Sequence, residues 1–309
     1  MEQIIQVILE SGRSAIDIAL YILLPIMVIM MAIMKLLDNY GILAWIARTL
    51  APILTPLGVP ALGIFAAIKI LLVSFAAPVA SFTMMDQDGT SKRYIAAALA
   101  MIMTMSQANV VFPMLAVGLD LQVILISSII GGLVAAITTF HLIARNMKAD
   151  TLHSMESDPF TVKKGPIQIM IDGGTEGTKV VLAAIPMLIL ALCFVNTLKA
   201  TDMISVISYV AATPLSWIGL SEQAVLPIVT KIIAGGTAFM GVTMDLLQQG
   251  KLTPLELNRM AGLIIHPLDI VGVAIYSLAG SRVASIMKMA IVGALAGILV
   301  KAIIHLLWF

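Results

Sequence analysis

The chain has 309 residues, of which 60% are hydrophobic and 11% charged, and its mean hydropathy is +1.06. A soluble domain is about 45–50% apolar and about 25% charged; one water-facing core cannot hide so much apolar surface, whereas a bilayer solvates it directly. The net charge of +1 and the one cysteine, Cys193 in an apolar run, exclude a polyanion binder, a disulfide framework and a thiolate metal cluster.

The N-terminal stretch MEQIIQVILESGRSAID lacks a basic leader and a small-residue cleavage site, so the first apolar segment is expected to be retained. A span needs about 20 apolar residues. Ile16–Leu37, Tyr94–Val117, Leu121–Ala144, Val180–Leu198, Met260–Ala279 and Val283–Leu307 meet this. Gly41–Leu54 and Met203–Trp217 are shorter, carry tryptophan and read as interfacial helices. Val59–Met85 and Leu220–Leu247 are interrupted near their middles by Ser74-Phe75-Ala76-Ala77-Pro78 and by Ala234-Gly235-Gly236-Thr237. Each reads as two half-length helices meeting at a tip, a re-entrant hairpin. Arg145–Lys179 is polar and reads as a cytoplasmic connector.

The order of elements repeats. Lys69 and Lys231, Gly118 and Gly280, Gly131 and Gly293, and Pro52 and Pro214 are 162 residues apart; Pro25 and Pro186, Gly58 and Gly219, and Gly89 and Gly250 are 161 apart. The expected organisation is a first repeat over 1–146, a connector over 147–175 and a second repeat over 176–309. If the interrupted segments are hairpins, each half crosses three times and the halves are inverted; if they span, the halves are parallel. Positive charges divide almost evenly between the two arrangements. Breaks at matched positions in two halves are the mark of a transporter site and favour inversion. The predicted fold is therefore an all-α polytopic bundle of two inverted repeats, each with a span, an interfacial helix, a re-entrant hairpin and two further spans, one of them broken.

Polar side chains at membrane depth mark the candidate site. The hairpins supply Ser74, Ser81, Thr83, Thr237 and Thr243, with Lys69 and Lys231 before the tips. The following spans supply Thr104, Ser106, Gln107 and Asn109 in one half, and His266, Pro267 and Asp269 in the other. Ser74, Ser81, Thr83, Ser106, Gln107, Asn109, Thr237, Lys69 and Lys231 are expected to bind solute. Asp269, His266 and Thr243 are expected to couple an ion. A carboxylate inside a span is a functional candidate by default, against the plainer alternative of an ion pair between Asp269 and Lys231. Asp86-Gln87-Asp88-Gly89 lacks the rest of a calcium loop and reads as a polar turn. The 21 methionines read as packing. No catalytic residue, metal site or cofactor is expected beyond H+ or Na+ as coupling ion.

The segments Phe75–Ser81, Ser106–Asn109, Gly235–Gly241 and His266–Asp269, in their repeated setting, resemble the Gate or nucleoside recognition family. That family includes the cores of concentrative nucleoside transporters and the membrane part of ferrous-iron transporters. The resemblance implies that hairpin tips and broken spans enclose a midplane site and that one bundle moves against a scaffold. The hairpins here carry lysine where nucleoside carriers carry an acidic residue. The expected function is a secondary transporter of a small polar solute, anionic or nucleoside-like, in the bacterial inner membrane, by alternating access coupled to H+ or Na+. A non-transporting membrane scaffold or assembly partner on the same fold is the alternative, with Arg145–Lys179 as its docking segment. Expected partners are the solute, the lipid bilayer and further copies of the chain, with no nucleic acid.

Overall fold

A computed structural model describes residues 2–147, 165–201, 215–217 and 219–309. Within them the regular structure is helical, and six helices are long and apolar enough to cross a bilayer. The first half comprises α1 (Glu2–Asp17), α2 (Leu24–Asn39), α3 (Ile42–Leu54), α4 (Ala61–Leu72), α5 (Val79–Gln87), α6 (Lys92–Thr104), α7 (Ala108–Leu115) and α8 (Leu121–Thr138). The second comprises α9 (Pro166–Ala200), α10 (Val225–Gln248), α11 (Pro254–Ile264), α12 (Ile270–Ser277) and α13 (Ser281–Trp308). Most of the second interfacial helix expected at Met203–Trp217 lies outside the described residues.

α1 and α2 form one rod joined by a π turn over Ile18–Leu23. Pro25 has no N–H to return to the preceding turn, which accounts for the wider local winding. α4 and α5 are about 18 and 14 Å long at 1.5 Å per residue, too short to cross about 30 Å of hydrocarbon, and they pack side by side. α10 is divided at Gly235 (φ 80°, ψ −174°) into arms of similar half-length. These are the two expected hairpins. The repeat also shows in the backbone: Gly58 and Gly219 both have positive φ, as do Gly89 and Gly250. The polar turn at Asp86 has a clear role, since its carboxylate accepts from the N–H groups of Arg282 (2.9 Å) and Val283 (3.3 Å) and caps α13.

Helix contacts settle the orientation of the halves. α2 and α9 are equivalent through Pro25 and Pro186. Ser11 in α1 lies against Asn196 (3.0 Å), whereas Lys35 at the far end of the rod pairs with Glu176 (2.8 Å). Numbers rise along one helix as they fall along the other, so equivalent helices run antiparallel. The same holds for α8 and α13, where Ser127 meets His305 and Gly131 meets Gly297. Halves related by inversion produce this pattern; parallel halves would align equivalent helices in one direction.

α9 begins at Pro166, well before the span expected at Val180. The polar stretch Asp172–Lys179 hides a packing motif. A β-carbon at Gly173 would meet Met31 O at 2.6 Å, and one at Gly177 would meet Met27 O at 2.7 Å. This small-residue stripe lets α9 lie directly on the α2 backbone. At the α8–α13 crossing, a β-carbon at Gly297 would meet Gly131 O at 2.3 Å. Gly297→Val is expected to force these helices apart at a cost of about 1–3 kcal/mol, read as a lower unfolding temperature in detergent. A side chain at Gly12, which has no atom of the described residues within 4 Å of its β position, should be tolerated in the same assay.

Candidate functional site

Each broken span is interrupted by its own sequence. α6 ends at Thr104 because Met105 (φ −70°, ψ 150°) and Gln107 (φ −90°, ψ 128°) are extended, and α7 restarts at Ala108. α11 ends at Ile264; Pro267 cannot donate a helical bond, and α12 restarts after Asp269, whose carboxylate accepts from Gly272 N at 2.7 Å. Gln107 and Asp269, 162 apart, thus occupy equivalent points, each immediately before the second half of its span.

The two tips meet these breaks. Asn109 Oδ1 accepts from Phe75 N (3.2 Å), while Tyr276 on α12 donates its hydroxyl to Phe75 O (2.5 Å), so the first tip is gripped by one residue from each half. At the second tip, Gly236 packs against the Gln107 amide so closely that a β-carbon there would overlap it. Between tips and breaks lies a cavity of about 330 Å³. Ser74, Gln107, Asn109, Thr237 and Asp269 contribute polar groups to its lining, and Val180, Ala183, Ala184 and Met187 of α9 form an apolar wall.

Asp269 is bound on both sides. One carboxylate oxygen caps α12 and the other pairs with the Lys231 ammonium, both side chains being buried. The positive end of α12 adds to the neutralisation. The cavity therefore presents amides and hydroxyls against a compensated charge. Gln107 makes no side-chain hydrogen bond among the described residues, which leaves its amide available.

The other residues singled out in the sequence lie elsewhere. Lys69, across from Lys231 in the repeat, sits over the Phe65 ring (4.2 Å) and near Asp38 (3.9 Å), beside a separate cavity of about 150 Å³. Ser81 is buried within α5, and the Thr83 hydroxyl bonds to Val79 O. Thr243 is buried in α10, its hydroxyl without a hydrogen-bond partner among the described residues. His266 caps its own break: Nδ1 accepts from Leu268 N (3.1 Å), and Nε2 lies 2.9 Å from Leu263 O. That pairing assigns the neutral tautomer with its proton on Nε2. Ser106 points away from the cavity, donating its hydroxyl to Ile265 O (3.0 Å), and so ties the two breaks together. Thr104 likewise bonds within the bundle, to Ala100 O and Ala294 O.

Two residues that sequence reasoning passed over complete the region. Tyr276 clamps the first tip as described. Lys301 on α13 is fully buried and reaches Ser106 and Ile265. Its signal in the sequence was faint: a lysine two turns from a helix end reads as snorkelling. Its alignment with Gly297 and His305, at four-residue spacing, would have placed it on the packed face instead.

Residues 20–122 match the family model described as Gate, nucleoside recognition. No curated protein matches the chain. Among solved structures, it is similar to CNTnw in an inward-facing substrate-bound state, with TM-score 0.66, 15% identity, and 99% of this chain and 83% of that chain covered. It is similar too to a CNTnw variant in an outward-facing state (TM-score 0.69, 13% identity, 99% and 83% covered) and to one in an intermediate state (TM-score 0.69, 15% identity, 93% and 74% covered). At these identities the likeness is one of fold.

Proposed function

We propose that the chain is a secondary transporter that moves a small, uncharged polar solute by alternating access, the solute sitting between the two hairpin tips and the two broken spans. The supporting observation is the convergence of four half-length or interrupted elements, two from each inverted repeat, on one cavity of about 330 Å³. Irregular backbone at membrane depth is stable only where protein or a water-filled cavity satisfies it, and matched breaks let either hairpin move while the other stays shut. Similarity of fold to both inward- and outward-facing states of CNTnw accords with this reading.

The solute class follows from the lining. The one carboxylate among the described lining residues is matched by Lys231, and Lys69 lies outside the cavity. A neutral solute with several donors and acceptors, such as a nucleoside, needs no counter-charge here and can pair with Gln107, Asn109, Ser74 and Thr237. Among the described residues an anion would find no unpaired cation on the cavity wall, which moves the expectation away from anionic solutes. In this reading Asp269 carries coupling, because opening the second tip would separate it from Lys231. A helical bundle of this kind accords with the bacterial inner membrane rather than the outer one, whose spanning proteins are β-barrels.

The test is a thermal-shift screen of neutral nucleosides and of anionic solutes in detergent, followed by uptake of the stabilising compound into proteoliposomes. Gln107→Leu should weaken binding roughly 10-fold or more, the effect of leaving a buried polar group of the solute unpaired, without lowering the unfolding temperature of the empty protein. Uptake that is absent for every stabilising compound, or unchanged in Gln107→Leu, would reject the assignment.

A further inference from the structure

Lys301 is fully buried on the last span, where both broken spans are interrupted. Its ammonium lies 2.6 Å from Ile265 O, 2.6 Å from Ser106 Oγ and 3.5 Å from Thr104 O. None of the described carboxylates pairs with it. Such an ammonium costs several kcal/mol to bury unless its surroundings are arranged for it, so the arrangement needs a reason.

The ligands supply one. Thr104 O belongs to the last turn of α6, and Ile265 O is the carbonyl just past α11. Each is the carboxyl-terminal end of a half-length helix, carrying a partial negative charge that the break leaves without an intrahelical partner. Ser106 is held in place from two sides, its hydroxyl on Ile265 O and its N–H on Ser128 Oγ (3.2 Å). The backbone around the lysine is tightly packed: a β-carbon at Gly262 would meet Lys301 O at 2.5 Å, and one at Gly131 would meet Lys301 Cβ at 3.1 Å. Rigid neutral oxygens from unwound backbone and a hydroxyl are the ligand set of a dehydrated monovalent cation.

We propose that the carboxyl-terminal ends of the two broken spans form a monovalent-cation site, and that Lys301 fills it permanently with a cation carried on the chain. The site rests on this geometry alone. Its consequence for coupling, that solute movement needs no Na+ at this position, rests on the transporter reading above.

The experiment reads stability rather than transport, so the two ideas can fail separately. Wild type, Lys301→Ala and Lys301→Met are unfolded thermally in detergent in sodium, methylammonium or choline chloride at equal ionic strength. Lys301→Ala empties the position and should regain stability saturably with sodium or methylammonium, by about 5 °C at 100 times the dissociation constant, and not with the bulkier choline. Wild type should be indifferent to the choice of cation. Lys301→Met refills the volume without charge; it should be less stable than wild type and likewise indifferent. A Lys301→Ala protein that ignores small cations overturns the proposal, as does a Lys301→Met protein as stable as wild type, a result that decides the matter even if the alanine variant cannot be purified.

Discussion

Asp269→Asn is expected to destabilise the protein by about 3–5 kcal/mol, because it strands the Lys231 ammonium in a buried site. Asparagine can still cap α12, so the cap is not what is lost. The second arm adds Lys231→Met. With both charges gone, no uncompensated ion remains, and most of the lost stability should return. Function should not return with it. If separation of this pair accompanies opening of the second tip, the double variant should fold, bind solute and fail to accumulate it against a gradient. Unfolding in detergent and uptake in proteoliposomes measure the two halves of the prediction. A double variant that still accumulates solute would show that the pair only holds the hairpin shut, and would move coupling elsewhere.

Gly235→Ala is the second large effect. Gly235 has φ 80° and ψ −174°, a conformation that is essentially restricted to glycine and costs other residues about 1–3 kcal/mol. Space is not the obstacle, since the nearest atoms to an added β-carbon are Val271 Cγ2 at 3.5 Å and Asp269 Oδ2 at 3.6 Å. The cost falls on the backbone at the tip, and the methyl group points at the carboxylate that closes the cavity. Uptake should fall sharply while the unfolding temperature drops only modestly. Gly236→Ala fails for a different reason, a collision with the Gln107 amide. Its loss of stability should be eased by Gln107→Ala, whereas that of Gly235→Ala should not, a contrast that the unfolding temperatures of the two double variants would reveal.

Several features are legible in the sequence alone. Proline and small polar residues in the middle of apolar segments marked both tips and both breaks, because lipid tolerates such residues only where protein shields the backbone. Gln107, Asn109, Thr237 and Asp269 were found by the same logic and line one cavity. Other expectations depended on which face a side chain turns inward, which spacing along the chain does not reveal. Lys69 matches Lys231 in the repeat, yet it lies beside Asp38 and Phe65, away from the cavity. Ser106 is one residue from Gln107 and points the opposite way because the backbone is extended there. The start of α9 was hidden because Asp172, Glu176 and Lys179 disguise a glycine stripe as a connector.

Composition by itself determined that the chain lies in a bilayer, and the 161–162 residue offset determined that it is built twice. Those properties belong to the chain as a string: how apolar it is, and where it repeats. Whether the halves are parallel or inverted was left open by nearly balanced charges and was decided by the antiparallel contacts of α2 with α9 and of α8 with α13. The charge at the heart of the bundle was likewise decided only there. A lysine two turns from the end of the last helix gains its meaning from Thr104, Ser106 and Ile265, which lie far from it in sequence and meet it because two helices break at the same depth.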